Sequence, residues 1–324
     1  MRVVKTENRA RSRISNVLKV LVSVGVLAVI LAKIDLQEVL PVLAAMDWLP
    51  FLGAMALFLS GSLVRAYRWG SLVWALGVHV SWGRLVFLYF VGAFFSLFLP
   101  TGVGGDAVRM YELSRDDHRA AAAISSVLVD RFLGLLVLFA MALLALVGGY
   151  RLVTPGERLL IAALFAVSLV AAGLVLQRSW LEAWGRRLGV GRLLRRFKIL
   201  DELYQSLHLY GWPALLRATA ASIAWNLILI LGYYLLGQAV GVQLALWYYF
   251  LFVPIISVFL MLPSLGGLGV REGVTLVLFT QVGVEEPRAL ALGLAYLLTT
   301  WATALVGATL YILQGLRNTR RPAA

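Results

Sequence analysis

Long apolar runs separated by short polar intervals dominate the chain. A helix that crosses the hydrocarbon of a bilayer needs about 20 mostly apolar residues. Six segments qualify: residues 14–32, 48–68, 120–148, 158–176, 213–236 and 289–316. The first has a basic flank, but Lys33-Ile34-Asp35-Leu36 follows it instead of a small-residue cleavage site. It therefore reads as a span and not as a removable signal peptide. Two further apolar stretches, 85–99 and 247–262, are short for a crossing, and each runs into Leu-Pro and a glycine cluster. Helix-like pieces too short to cross follow at 106–114 and 272–281. Short, Gly/Pro-interrupted hydrophobic segments at matching places in two halves point to a transporter-type binding site.

Charge placement decides how the short pairs run. If each is a re-entrant hairpin and the N-terminus is cytoplasmic, twenty Lys and Arg fall on the cytoplasmic side, four outside and five within membrane segments. Making 85–99 a full span moves the seven-charge loop 178–198 outside and destroys this asymmetry. The positive-inside rule thus favours two hairpins entering from opposite faces. The expected fold class is an all-α, polytopic membrane protein with about six full spans and two inverted re-entrant hairpins. Its domain plan is a basic cytoplasmic tail at 1–13, one transmembrane domain at 14–316 and a second basic tail at 317–324. The hairpins fall at about 84–117 and 247–283. An amphipathic segment at 178–211 is expected on the cytoplasmic face, with a shorter counterpart at 35–46 outside.

Composition agrees. The 324 residues are 61% hydrophobic and 14% charged, against about 45–50% and about 25% in soluble domains. The net charge of +13 would suggest nucleic acid in a soluble protein. Here it is orientation charge facing anionic headgroups, and no nucleic-acid partner is needed. The absence of Cys and the three dispersed His exclude thiolate chemistry and give no metal site. The segment Gly102-x-Gly104-x-x-Ala107 matches a loose dinucleotide fingerprint, but that motif needs a preceding β-strand. No cofactor is expected.

The two glycine clusters echo one another. Leu99-Pro100 leads, after a short spacer, to Gly104-Gly105 and then Val108-Arg109; Leu262-Pro263 leads to Gly266-Gly267 and then Val270-Arg271. Proline stops the incoming half-helix and glycine permits an irregular tip. The outgoing half-helix then presents backbone N–H groups and a positive dipole end inside the membrane. Arg109 and Arg271 sit in its first turns, and guanidinium is suited to bidentate phosphate binding. Gly104, Gly105, Arg109, Gly266, Gly267 and Arg271 are therefore the expected phosphate-binding residues; the competing reading is close helix packing with the arginines paired to carboxylates. Intramembrane ionisable residues are functional candidates. Asp106, Asp130, Arg131 and Glu272 are expected to gate or couple, or else to form structural ion pairs. Arg65 and Arg68, with Trp69, fit an interfacial anchor or a headgroup entrance. Asn226 and Gln238 are expected to make interhelical hydrogen bonds.

Arg65-x-x-Arg68-Trp69, the run from Phe95 through Leu99-Pro100 and Gly104-Gly105-Asp106 to Arg109, the Asp130-Arg131 pair, and Pro263-x-x-Gly-Gly-Leu-Gly-x-Arg-Glu272 together resemble the flippase-like family of the lysylphosphatidylglycerol synthase transmembrane region, over about residues 14–316. The resemblance implies a membrane region that moves lipid between leaflets. In bifunctional members a separate soluble domain performs the aminoacyl transfer, and that enzyme activity is not expected here. Other relatives are linked to polyprenyl-phosphate sugars, so the lipid does not carry over. In the sequence alignment Leu268 stands opposite Asp106, which departs from a strict two-fold pattern.

The leading expectation is a non-enzymatic translocase for a phosphate-bearing lipid (a phospholipid, an aminoacylated phospholipid or a polyprenyl-phosphate-linked sugar) in a prokaryotic plasma membrane, with both termini cytoplasmic. The alternative is a scaffold or accessory subunit for a lipid- or glycan-modifying enzyme. Membrane lipids are the expected partners, and a partner enzyme and a homo-oligomer are open on the sequence.

Overall fold

The computed structural model describes residues 36–97, 104–117, 120–176, 205, 209–262, 264 and 267–319. The expected span at 14–32, the N-terminal tail and nearly all of the amphipathic segment 178–211 lie outside those residues. Every described element is helical: α1 (Leu36–Ala44), α2 (Trp48–Ala75), α3 (Trp82–Ser96), α4 (Gly104–Asp117), α5 (Ala120–Gly149), α6 (Pro155–Leu176), α7 (Trp212–Ala239), α8 (Leu246–Phe259), α9 (Val270–Thr280) and α10 (Glu286–Thr319). A single 3₁₀ turn, Tyr150–Leu152, follows α5.

Local chemistry sets the helix starts. Proline lies in the first turn of α2, α6, α7 and α10 (Pro50, Pro155, Pro213 and Pro287), where its missing N–H costs nothing. Asp47 accepts the Leu49 amide at 2.9 Å before α2. Thr154 and Glu157 close a capping box on α6: the Thr154 amide donates to Glu157 Oε2 at 2.7 Å, and the Glu157 amide donates to Thr154 Oγ1 at 3.3 Å.

Four described helical stretches are long and apolar enough to cross a membrane: Trp48–Ala75, Ala120–Leu152, Trp212–Ala239 and Glu286–Gln314. The segment expected at 158–176 is helical over Pro155–Leu176. Large apolar side chains point outward, with Val147 86% and Leu144 71% exposed. That surface suits hydrocarbon and not water. The protein is a multi-pass helical membrane protein.

The short elements pair as helical hairpins. In the first, Arg84 of α3 bonds Glu112 of α4 at 2.9 Å, and at the other end the Gly105 amide donates to Ser96 Oγ at 3.0 Å. These two ties fix α3 and α4 as antiparallel neighbours. In the second, Tyr249 and Phe252 of α8 make edge-on contacts with Phe279 of α9, at centroid separations of 5.4 and 5.3 Å. Leu260 lies against Gly267 at the tip. At 1.5 Å rise per residue, α3 and α8 are about 22 and 21 Å long and α9 about 16 Å, short of an apolar thickness of about 30 Å.

The chain forms two compact units. One comprises Met1–Phe58, Phe90–Gly105 and Leu231–Ala324, the other Leu59–Tyr89 and Asp106–Ile230. The second is cored by Trp69, Val73, Leu85, Leu88, Leu113, Ala123 and Val127. In the first, α9 packs on α8 and α10, and the Tyr233 and Tyr296 rings stack at 4.5 Å.

Candidate functional site

The second unit buries an alternating row of charges. Asp106, in the first turn of α4, accepts from Arg109 one turn later and from Arg131 Nε at 2.6 Å. Arg109 in turn places Nη1 3.8 Å from Asp130 Oδ2. Asp130 Oδ1 accepts the Nε–H of Arg68 at 2.6 Å. The side chains of Arg68, Asp106, Arg109 and Asp130 are all at most 4% exposed, while Arg131 is 43% exposed and forms the open end of the row. Removing one partner of such a buried pair typically costs about 3–5 kcal/mol, because the other charge is left desolvated.

Several neighbours hold this row in place. Ser222 Oγ lies 3.4 Å from Arg68 Nη1. Gly134 on α5 leaves room for the same guanidinium: a Cβ there would lie 2.6 Å from Nη1. The Trp69 indole N–H donates to Ser126 Oγ at 3.0 Å, and its ring packs under Arg109 at 5.0 Å. Asn226 Nδ2 donates to the Gly134 carbonyl at 3.2 Å, the interhelical bond anticipated from sequence; Gln238 is exposed instead.

Arg65 stands apart from the ion pairs. Its guanidinium is held between the Tyr89 ring at 5.0 Å and the Trp225 ring at 4.6 Å. Among the described residues no carboxylate pairs with it, and its buried Nε has no hydrogen-bond partner. It lies within electrostatic reach of Arg68, Arg109 and Arg131. The Tyr89 ring also carries Arg109 at 4.6 Å, so one aromatic face serves two cations. Among the described residues, the buried guanidinium groups of Arg65, Arg68 and Arg109 thus meet the two carboxylates of Asp106 and Asp130. An excess of positive charge in low dielectric is stabilised by an anion. Arg109 Nη1 and the Tyr89 hydroxyl are buried without hydrogen-bond partners and are donors suited to one.

The first unit holds the second hairpin's charges. Gly267 and Gly269 take φ of 83° and 79°, a left-handed backbone that glycine alone adopts at little cost, and α9 begins directly after them. Arg271 lies over the Tyr296 ring at 4.6 Å. Glu272 is fully buried and turns back to accept the Gly269 amide at 2.7 Å, capping its own helix.

The structure therefore gathers Arg65, Arg68, Asp106, Arg109, Asp130 and Arg131 in one unit and Gly267, Arg271 and Glu272 in the other. Gly266 lies outside the described residues. Arg68 and Trp69 are buried, at 3% and 0% exposure, on a helix that continues seven residues past the expected end of the span at Arg68. The acidic residues of the two hairpins fall at similar places in their outgoing helices. Leu268 precedes α9, and Glu272, not Leu268, occupies the first-turn position that Asp106 holds in α4. The Gly105 amide is engaged by Ser96, and the residue's own role is close approach: a Cβ there would collide with the Gly92 carbonyl and Ser96 Oγ. Sequence reasoning missed Tyr89, Trp225, Ser222 and Gly134. They lie in uniformly apolar runs, and nothing in those runs marks which face meets an arginine.

Long apolar helices, paired short helical hairpins and a buried arginine-rich row define a polytopic membrane protein with an anion-suited interior. The chain belongs to the lysylphosphatidylglycerol synthase TM region family, whose model matches residues 16–307. That membership relates it to lipid modification or transport. No curated protein matches the chain.

Proposed function

We propose that this protein is a lipid translocase that moves a phosphate-bearing lipid between the leaflets of a prokaryotic plasma membrane. The carrying observation is Arg65, buried beside Arg68 and Arg109 between two aromatic rings and, among the described residues, in no ion pair, while Arg109 Nη1 is buried without a hydrogen bond. A lipid phosphate entering past the exposed Arg131 would take up the free donors of Arg109 and Arg65, while its acyl or prenyl tails stay in hydrocarbon. No covalent bond is made or broken. The two helical hairpins, each shorter than a bilayer, are read as re-entrant, with both chain termini on the cytoplasmic side. Arg271 and the Gly267 tip are read as the phosphate contact of the second hairpin.

The test is reconstitution into liposomes with labelled phosphatidylglycerol and labelled polyprenyl phosphate, preceded by mass spectrometry of co-purified lipid. Arg109→Lys keeps the charge but loses the planar fork, and Arg109→Ala loses both. Leaflet exchange is expected to fall in both variants while the protein remains folded. Unchanged exchange in both would overturn the phosphate role. No exchange and no bound phosphate lipid in the unaltered protein would favour a scaffold for a lipid- or glycan-modifying enzyme.

A further inference from the structure

We infer that Glu272 is a proton-binding site that couples proton uptake to lipid movement. Its use in transport rests on the translocase reading; the proton site itself does not.

The buried carboxylates differ in what holds them. Asp106 accepts from two guanidinium groups and Asp130 from Arg68. A proton on Asp106 would have to displace an arginine. Asp130 has one oxygen without a hydrogen bond, but that Oδ2 faces Arg109 Nη1 at 3.8 Å while Oδ1 holds Arg68, so the pair of cations favours its charged form. Glu272 is held differently, although it occupies the same first-turn position in its hairpin. Its Oε2 accepts the Gly269 amide at 2.7 Å, and its Oε1 is buried without a hydrogen-bond partner. Among the described residues it forms no ion pair. A fully buried carboxylate oxygen without a donor is costly, and a proton on Oε1 removes that cost without disturbing the cap on Oε2.

The groups around Glu272 are few. Arg271 precedes it on α9, lies within electrostatic reach of its carboxylate and stands over the Tyr296 ring of α10. Tyr233 of α7 stacks on Tyr296 and lies within electrostatic reach of Glu272. On α10 the facing position is Gly293, where a Cβ would lie 3.2 Å from the Glu272 Cα. α8 carries no charged residue. The Tyr233 hydroxyl and Thr275 Oγ1, three residues along α9 from Glu272, are also buried without hydrogen-bond partners. Buried polar groups are normally satisfied, and this part of the unit leaves several of them unmet. The step is simple uptake: a proton from the aqueous side joins Oε1, the carboxylate becomes a carboxylic acid, and release on the other side restores it.

The experiment follows the carboxyl C=O stretch by infrared spectroscopy during a pH titration of the full chain in vesicles. Carbon-13 labelling of glutamate separates Glu from Asp. The expected result is a glutamate-shifted carboxylic acid band that is lost in Glu272→Gln, a variant that keeps an acceptor for the Gly269 amide. A band unchanged in Glu272→Gln, or one that glutamate labelling does not shift, overturns the proton site. In parallel, an imposed pH gradient should accelerate leaflet exchange of labelled phosphatidylglycerol, and Glu272→Gln should lose that acceleration. Exchange that ignores the gradient in the unaltered protein overturns the coupling. A band assigned to Glu272 with no exchange under any condition supports the proton site and overturns the translocase reading.

Discussion

Arg68 donates its Nε–H to Asp130 at 2.6 Å across 62 positions of sequence, and both side chains are buried. The contact sets the rotation of α2 against α5 and anchors the row that continues through Arg109 and Asp106 to Arg131. A buried pair of this kind is costly to break by halves and much less costly to replace whole.

Arg68→Met or Asp130→Leu alone should therefore destabilise the protein by about 3–5 kcal/mol, and the double replacement should recover most of that loss. Thermal unfolding in detergent, arranged as a double-mutant cycle, measures the coupling. Additive losses would contradict it.

Arg65 is expected to behave in the opposite way. It has two aromatic contacts and no carboxylate partner among the described residues, so Arg65→Gln should cost stability only about 0.5–2 kcal/mol, the range of its cation–π contacts. Lipid exchange, by contrast, should fall markedly, since a buried cation with no ion pair among the described residues is gone. Measuring both quantities on the same preparation separates function from fold.

The chain has no cysteine, so single cysteines report topology without background. Gly83→Cys and Arg115→Cys flank the first hairpin, and Ala245→Cys and Glu285→Cys flank the second. An impermeant thiol reagent should label each pair from one side, with the two pairs on opposite faces. Labelling of Gly83→Cys and Arg115→Cys from different sides would show a full crossing and end the re-entrant reading.

Close approach at the first hairpin tip predicts a sharp positional contrast. Gly105→Ala places a methyl against the Gly92 carbonyl and Ser96 Oγ, and overpacking of this kind costs about 1–3 kcal/mol. Gly83→Ala meets nothing within 4 Å and should leave packing unchanged. Unfolding midpoints of the two variants give the comparison.

Thr154→Ala removes one half of the α6 capping box and should cost about 1 kcal/mol without altering lipid exchange. It serves as a stability control remote from the charged row.

Much of this architecture was legible along the chain. Among the described residues the long apolar segments became helices, all but one within a few residues of their expected limits, because apolar length and helix-starting chemistry are local properties. The two short interrupted segments became paired short helices, and glycine marks the start of the outgoing helix of the second, where Gly267 and Gly269 take positive φ. The misplaced element was the end of α2. Arg65 and Arg68 suggested the end of the helix, whereas it runs on to Ala75, with Arg68 paired to Asp130 and Arg65 held between two aromatic rings. A charge in an apolar run signals either an edge or a buried partner, and only the partner distinguishes the two.

The partners were beyond the reach of pattern. Composition and periodicity established a basic, helical, multi-span membrane protein and picked out Asp106, Arg109, Asp130, Arg131, Arg271 and Glu272 as residues that do not belong in lipid. Packing determined that Asp106 meets Arg131 across 25 positions, that Tyr89 lies under both Arg65 and Arg109, and that Glu272 caps its own helix while leaving one oxygen unmet. The difference is physical. The need of a segment to be apolar is written residue by residue, but which charges neutralise one another depends on how helices rotate and approach, and that is settled by contacts between residues far apart in the chain.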